Sequence, residues 1–384
     1  VRCALFIEPW MMPDRQLTRS FLEGAELSGV EPPSLAEPTV KPARSPRGNP
    51  APRRTLVDSF GRVATSLRVS ITDRCNFRCV YCMPVDGVPF LPKREVLSFE
   101  EILHLVRLLV ALGVRDVRVT GGEPLVRRDV PVFLRALSQV SGVHEFSLTT
   151  NGYLLPELAE KLYDAGLRRL NVSLDTLRPD RYRQINRVDG FARVMKGLEL
   201  AEDLGFRPLK LNVVLMPGVN EDEILDFARL ARSRPISVRF IEFMPMDGGS
   251  LWSTDKVVTG REVRERISAV YPMEPVPGTD PHAPARAYRF SDDTGEMGFI
   301  APMSEPFCMS CDRVRLSASG EFRTCMFQTR GLDLKGPLRS GASDDDLARL
   351  ITGAVSRKER GGSLDIHQRG TSSPIHLSMS QIGG

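Results

Sequence analysis

No apolar run in the 384 residues approaches the roughly 18 needed to cross a bilayer, so the chain offers no candidate for a membrane-spanning helix; stretches such as Leu211 to Met216 suit buried strands instead. Charge of one sign is also missing. Lys and Arg number 52 against 48 Asp and Glu, a net +4 that argues against a nucleic-acid partner but leaves room for a local basic pocket. The five histidines, His104, His144, His282, His367 and His376, are scattered and form no ligand spacing. No strong nucleophile–base pair stands out, so the chemistry does not rest on one. What the chain does have is ordinary for a globular protein, 41% hydrophobic and 26% charged residues, enough for a sizeable core.

Cysteine is sparse but pointedly placed. Of seven, Cys3 stands alone, while Cys75, Cys79, Cys82 and Cys308, Cys311, Cys325 form two clusters. Disulfide frameworks belong to small secreted chains, whereas clustered cysteines in a large enzyme suggest metal binding in a reducing compartment. Iron–sulfur clusters are usually held by four thiolates. A trio can therefore hold three irons of a cubane and leave the fourth open to a small molecule. The competing assignment for the first trio is a zinc knuckle completed by a distant ligand, although zinc favours paired cysteines. The second group is a C-x2-C pair followed after thirteen residues by Cys325, and zinc or a fourth ligand elsewhere stays an alternative there.

Residues 1–55 form a proline-rich segment, dense between Glu31 and Arg54, that is expected to be a disordered extension. Arg2, Arg15 and Arg19 suit a transit peptide, but Glu8, Asp14, Glu23, Glu26, Glu31 and Glu37 argue against one. Regular patterning begins near residue 66. Strands are expected at Leu67–Ile71, Val117–Val119, Glu145–Thr149, Leu170–Leu174, Lys210–Met216 and Val238–Phe243. Helices are expected at Phe99–Leu112, Val130–Leu137, Leu155–Ala165, Phe191–Leu204 and Glu221–Ala231. Alternating strand and helix with short connections is the pattern of a parallel sheet, open or partly barrelled, with ligands at the carboxyl ends of its strands. We assign 56–265 to this α/β unit and 266–384 to a less regular C-terminal region with a helix at Asp344–Val355 and a Gly383-Gly384 end.

Polar groups follow the strands. Gly121-Gly122-Glu123-Pro124 offers close backbone approach at Gly122 and a carboxylate for an ammonium group; a plain turn is the bland reading. Ser173 and Asp175 could hold a ribose or carboxylate, or cap a helix. Met244 could pack on an adenine or simply fill the core. Arg313 and Arg315, on one side of an extended segment through Val314, suit a polyphosphate. Arg68, Arg118, Lys210 and Arg239 are expected at or near the ligand-facing ends of strands. With no matching carboxylates on those strands, they favour an anionic ligand over internal ion pairs.

The C-x3-C-x2-C run with Tyr81 before its last cysteine resembles the radical S-adenosylmethionine superfamily. The full set (two trios, Gly-Gly-Glu-Pro, Arg313-Val314-Arg315, Asp58-Ser59-Phe60-Gly61-Arg62, Arg239-Phe240-Ile241-Glu242 and the final Gly-Gly) resembles its GTP 3′,8-cyclase family from about Asp58 to Gly384. That resemblance implies an incomplete TIM-type barrel of about six β-α units, with a C-terminal extension carrying a second iron–sulfur cluster. It implies two [4Fe–4S] clusters, on Cys75, Cys79, Cys82 and on Cys308, Cys311, Cys325. It places S-adenosylmethionine against Tyr81, Gly122, Ser173 and Met244, and GTP among Arg68, Arg118, Thr149, Lys210, Arg239, Arg313, Val314 and Arg315. It brings the tail glycines Gly383 and Gly384 into the active site. The implied reaction is radical 3′,8-cyclisation of GTP, the first step of molybdenum cofactor biosynthesis. Implied partners are an electron donor and a downstream cyclic pyranopterin monophosphate synthase, with a homodimer admitted as the oligomeric state and a cytoplasmic location. The rival within the superfamily is a peptide maturase, which usually carries more C-terminal cysteines; an electron carrier and a zinc-stabilised nucleotide binder are the rivals outside it.

Overall fold

A computed structural model of the chain describes residues 55–84, 86–246, 252–364 and 379–382. The proline-rich segment, Cys3, Gly383 and Gly384 lie outside the described residues. Strands β1 (Ser66–Ser70), β2 (Asp116–Thr120), β3 (Glu145–Thr150), β4 (Arg169–Ser173), β5 (Leu209–Leu215) and β6 (Ile236–Glu242) pair in sequence order, every pair parallel. Between them run α1 (Phe99–Ala111), α2 (Val130–Ser138), α3 (Leu155–Asp164), α4 (Pro179–Asn186), α5 (Phe191–Asp203) and α6 (Ile224–Ser233). These elements follow the expected ones to within about two residues, save that Glu221–Glu223 is a 3-10 turn before α6 and α4 has no counterpart among the expected helices. Its segment is polar, burying only Tyr182, Ile185 and Asn186, so no apolar stripe announces it.

The C-terminal region holds more order than its sequence suggests. After α7 (Gly260–Ser268) come β7 (Met273–Pro275), β8 (Arg286–Phe290) and β9 (Glu296–Ile300), then β10 (Arg313–Leu316), β11 (Glu321–Arg323), β12 (Leu332–Asp333), α8 (Lys335–Arg339) and α9 (Asp344–Ser356). All twelve strands form one sheet in the order β12-β11-β10-β1-β2-β3-β4-β5-β6-β9-β8-β7. β10 lies parallel beside β1 and β9 parallel beside β6, so both flanks of the six-strand set are covered by late chain. The run β10, β1 to β6 and β9 is parallel throughout, yet it does not close. β9 and β10 bond onward to antiparallel β8 and β11 rather than to each other. The result is a partial, barrel-like parallel sheet.

Strand alternation explains where the site can form. In β5, LKLNVVL, and β6, ISVRFIE, every second side chain is buried, and Leu211, Val213, Val238 and Phe240 join the main apolar core. The intervening residues face the other side of the sheet. There the chain places Arg68, Arg118, Asn212 and Arg239, which line a cavity.

Candidate active site

The first trio sits on the loop leaving β1. That loop is held by backbone pairing to the end of α4: the Arg78 amide donates to Asn186 O at 3.2 Å and Val80 to Ile185 O at 2.9 Å. The Cys79 thiol donates to Asn186 Oδ1 at 3.0 Å. Gly121 and Gly122 are needed here for the close approach of the cysteine loop. A Cβ at Gly122 would overlap the carbonyls of Asp73 and Arg74, and one at Gly121 the carbonyl of Thr72. The glycines thus let the strand end lie directly on the cysteine loop, pinned by Gly122 N to Thr72 O at 2.8 Å and Glu123 N to Arg74 O at 2.7 Å.

Two carboxylates flank this trio. Glu123 is buried and accepts from Leu125 N, Thr150 Oγ1 and Asn151 N at 3.0, 2.7 and 2.6 Å. Burial pushes it up to about 7, although those donors pull the other way. Asp175 accepts from Val214 N at 2.8 Å and from the Tyr81 phenol, and burial raises it to about 6. Burial also pushes the Cys75 thiol up to about 12, with the Glu123 charge adding to it.

In the second trio Cys308 and Cys311 lie between β9 and β10, and Cys325 follows β11. Burial works to raise Cys311 as well, but the Arg313 and Lys358 charges outweigh it and bring the thiol down to about 7. Arg313 stacks over the Phe307 ring at 4.9 Å. Next to this trio stands a row of cations set by strand register, Arg315 opposite Arg68 on β1 and Arg68 opposite Arg118 on β2. Arg239 approaches from β6. Burial lowers Arg118 and Arg239 to about 10, and neighbouring guanidiniums push in the same direction. Among the described residues no carboxylate comes within ion-pair distance of Arg68, Arg118 or Arg239, and Arg239 Nε is buried without a hydrogen-bond partner. Such a cluster is stabilised by a bound polyanion.

One cavity joins these parts. Both trios line it, as do Tyr81, Gly122, Ser173, Met244, Arg68, Arg118, Thr149, Arg239, Arg313 and Arg315. Lys210 and Val314 do not. Lys210 stands second in β5, near the start of the strand, where burial and then Arg239 lower it to about 7. The Val314 side chain is in the apolar core. Of the cations expected at or near strand ends, Arg68, Arg118 and Arg239 sit mid-strand. Met244 lines the cavity and packs with Met246, Met326, Phe327, Met379 and Ile382. Met379, in the described turn just ahead of Gly383, lines the cavity too. Asn186, Arg62 and Lys358 were not singled out from sequence. Arg62 had a signal in its Asp58-to-Arg62 motif, whereas Lys358 had none.

The six cysteines are free thiols at the cavity wall. Among the described residues no three His, Cys, Asp or Glu converge as ligands of a single ion. Three thiols facing one cavity are the donor chemistry that holds an iron–sulfur cluster.

Comparison with known proteins gives the family. The Radical SAM superfamily profile matches residues 69–231 and the Molybdenum Cofactor Synthesis C profile residues 236–364. A GTP 3′,8-cyclase of Moorella thermoacetica is 46% identical over 86% of this chain and the whole of that relative. The chain belongs to the GTP 3′,8-cyclase family. A mitochondrial GTP 3′,8-cyclase of Arabidopsis thaliana is 43% identical across 84% of this chain and 83% of that relative. Molybdenum cofactor biosynthesis protein 1 of Bos taurus is 43% identical across 88% of this chain and 54% of its own. Among solved structures, Streptococcus suis SuiB bound to precursor peptide SuiA matches with a TM-score of 0.52 at 15% identity, over 83% of this chain and 76% of that one. That likeness is one of fold alone.

Proposed function

We propose that this chain is a radical S-adenosylmethionine enzyme that converts GTP to (8S)-3′,8-cyclo-7,8-dihydroguanosine 5′-triphosphate, the first step of molybdenum cofactor biosynthesis. The observation that carries the reading is the pairing, in one cavity, of a cysteine trio flanked by carboxylates with a second trio flanked by buried cations. When bound, a [4Fe–4S] cluster with S-adenosylmethionine supplies the one-electron chemistry. The chain's residues bind and orient. Cys75, Cys79 and Cys82 hold the first cluster, and Tyr81, Gly122, Ser173 and Met244 border S-adenosylmethionine. Glu123 and Asp175 give the cationic methionine end an acidic surround. Cys308, Cys311 and Cys325 hold a second [4Fe–4S] cluster beside the guanine. Arg68, Arg118, Arg239, Arg313 and Arg315 take the triphosphate, with Thr149 at the nucleoside and Lys210 acting through the field beneath them. Residues 56–265 thus hold the cofactor and part of the triphosphate site and residues 266–384 the second trio and the remaining arginines, with Gly383 and Gly384 assigned to the active site. The same reading supplies an electron donor, a cyclic pyranopterin monophosphate synthase as consumer of the product, a homodimer, and a cytoplasmic setting that keeps thiols reduced.

The test is anaerobic. Protein reconstituted with iron and sulfide receives dithionite and S-adenosylmethionine, and 5′-deoxyadenosine is quantified with and without GTP. GTP-stimulated release with consumption of GTP is expected. Release indifferent to GTP rejects the substrate, and no release from protein with a verified first cluster rejects radical catalysis.

A further inference from the structure

One short segment that the cyclase reading leaves without a role touches the second trio at all three sulfurs. Lys358 Nζ donates to Cys311 O at 2.9 Å and Arg313 O at 3.1 Å, and lies 3.8 Å from Cys311 Sγ. Gly361 lies so close to Cys308 that a Cβ there would overlap both Cβ and Sγ of the cysteine, and its φ of +153° disfavours a side chain as well. The Gly362 amide donates to the Cys325 sulfur, and a Cβ on Gly362 would overlap Phe327. Ser363 Oγ stands 3.3 Å from Cys308 Sγ.

The segment is anchored from its far side. Arg62 donates to Glu359 O at 2.6 Å, to Arg360 O at 2.7 Å and to Cys308 O at 2.8 Å. Its charge is met by Asp58 at 2.5 Å. Arg62 and Lys358 are 7% and 4% exposed, too buried to serve as ordinary surface charges. Two buried cations thus spend their N–H groups on backbone carbonyls and tie three distant stretches into one unit.

We propose that Lys358–Ser363, with Arg62 as its anchor, is a positioning brace for the second cysteine site. It contributes no ligand of its own. It sets the spacing of Cys308, Cys311 and Cys325 and presents N–H and O–H donors to their sulfurs, the outer-shell contacts that orient ligands and tune a cluster. This inference rests on the two-cluster reading given above.

The test uses the full chain with Cys75, Cys79 and Cys82 changed to Ser, so that all bound iron belongs to the second site. After anaerobic reconstitution this parent should hold about four irons and four acid-labile sulfides per chain. Gly361→Ala in that background should hold less than about one, because Cys308 cannot keep its place against a Cβ. Lys358→Met, which keeps the buried stem and removes the ammonium, should load. Its reduced cluster should give a shifted electron paramagnetic resonance signal and lose iron to a chelator at least about tenfold faster, in line with lost outer-shell contacts. Gly361→Ala is also made in the natural chain, where iron on the first trio shows that the protein folds. Should that chain not fold, Lys358→Met decides alone. Parent-like signal and iron release in Lys358→Met, or parent-like loading in Gly361→Ala, overturns the brace. A parent that takes no iron overturns the two-cluster reading and the brace with it, so the two failures are told apart.

Discussion

Cys75 and Cys311 face the same cavity, yet burial pushes the first thiol up to about 12 while Arg313 and Lys358 bring the second down to about 7. The first trio has the buried carboxylates Glu123 and Asp175 beside it. The second has Arg62, Arg313, Arg315 and Lys358, with Glu359 the carboxylate lining that side. Two sites of the same ligand type thus differ in the sign of their surroundings. On the proposed reading, a cationic cofactor is favoured at one and a polyanionic substrate at the other. The cysteines set what is held, and their neighbours set what may approach it.

The largest blow to that division should come from the cations that touch no cysteine. The double variant Arg118→Ala, Arg239→Ala removes two buried guanidiniums. At about 1.5–3 kcal/mol for each hydrogen bond to a charged group, GTP affinity should fall at least about 100-fold and S-adenosylmethionine affinity by less than about twofold. Equilibrium binding on anaerobic reconstituted protein measures both. Equal losses for the two ligands would erase the division.

A smaller effect sharpens it directly. In reduced, metal-free protein at pH 8, iodoacetamide should modify Cys311 at least about tenfold faster than Cys75, because only the thiolate reacts. The Cys311 rate should rise with pH to half its maximum near 7. Mass-spectrometric peptide mapping over time reads both cysteines, and Lys358→Met should slow Cys311 alone. Equal rates at the two thiols would refute the electrostatic contrast.

The smallest effect is on stability. Burial raises Glu123 from 4.5 to about 7, so between those values the folded chain holds a proton that the unfolded chain has released. Stability from this group is therefore full below about 4.5 and is lost as pH rises through about 7, by something on the order of 3 kcal/mol. Denaturant melts of metal-free protein at pH 5 and pH 7.5 should show this decline in the parent and a flatter profile in Glu123→Gln. Parallel profiles would mean the carboxyl is not so raised.

How much of this was legible in the chain depended on whether a residue's partners are near it in sequence. Strands β1 to β6 were readable because each repeats an alternating or apolar pattern between clear helices. Ser173 and Gly122 could be found because they close such strands, whereas Thr149 was pointed to only by the family resemblance. α4 was not readable, since its polar run exposes most of itself, yet its Asn186 meets Cys79 across 107 positions. The short C-terminal strands, two to five residues each, carry too few repeats to show a period. Arg62 finds Cys308 O across 246 positions, and no local pattern predicts such a contact. The need for glycine at Gly121 and Gly122 was legible; that it is imposed by the cysteine loop was not.

The parallel pairing of β1 with β10 carries a consequence for the order in which the chain is built. During synthesis, the first trio, Glu123, Asn186, Asp175 and the Val214 amide have all emerged once β5 is complete. The second trio must wait for Cys325 and then for the Lys358–Ser363 segment, and β1 keeps an open flank until β10 arrives. Contacts this distant in sequence form slowly. The first site is therefore complete while the second is still missing parts, and a chain stopped ahead of Lys358 would carry one without the other.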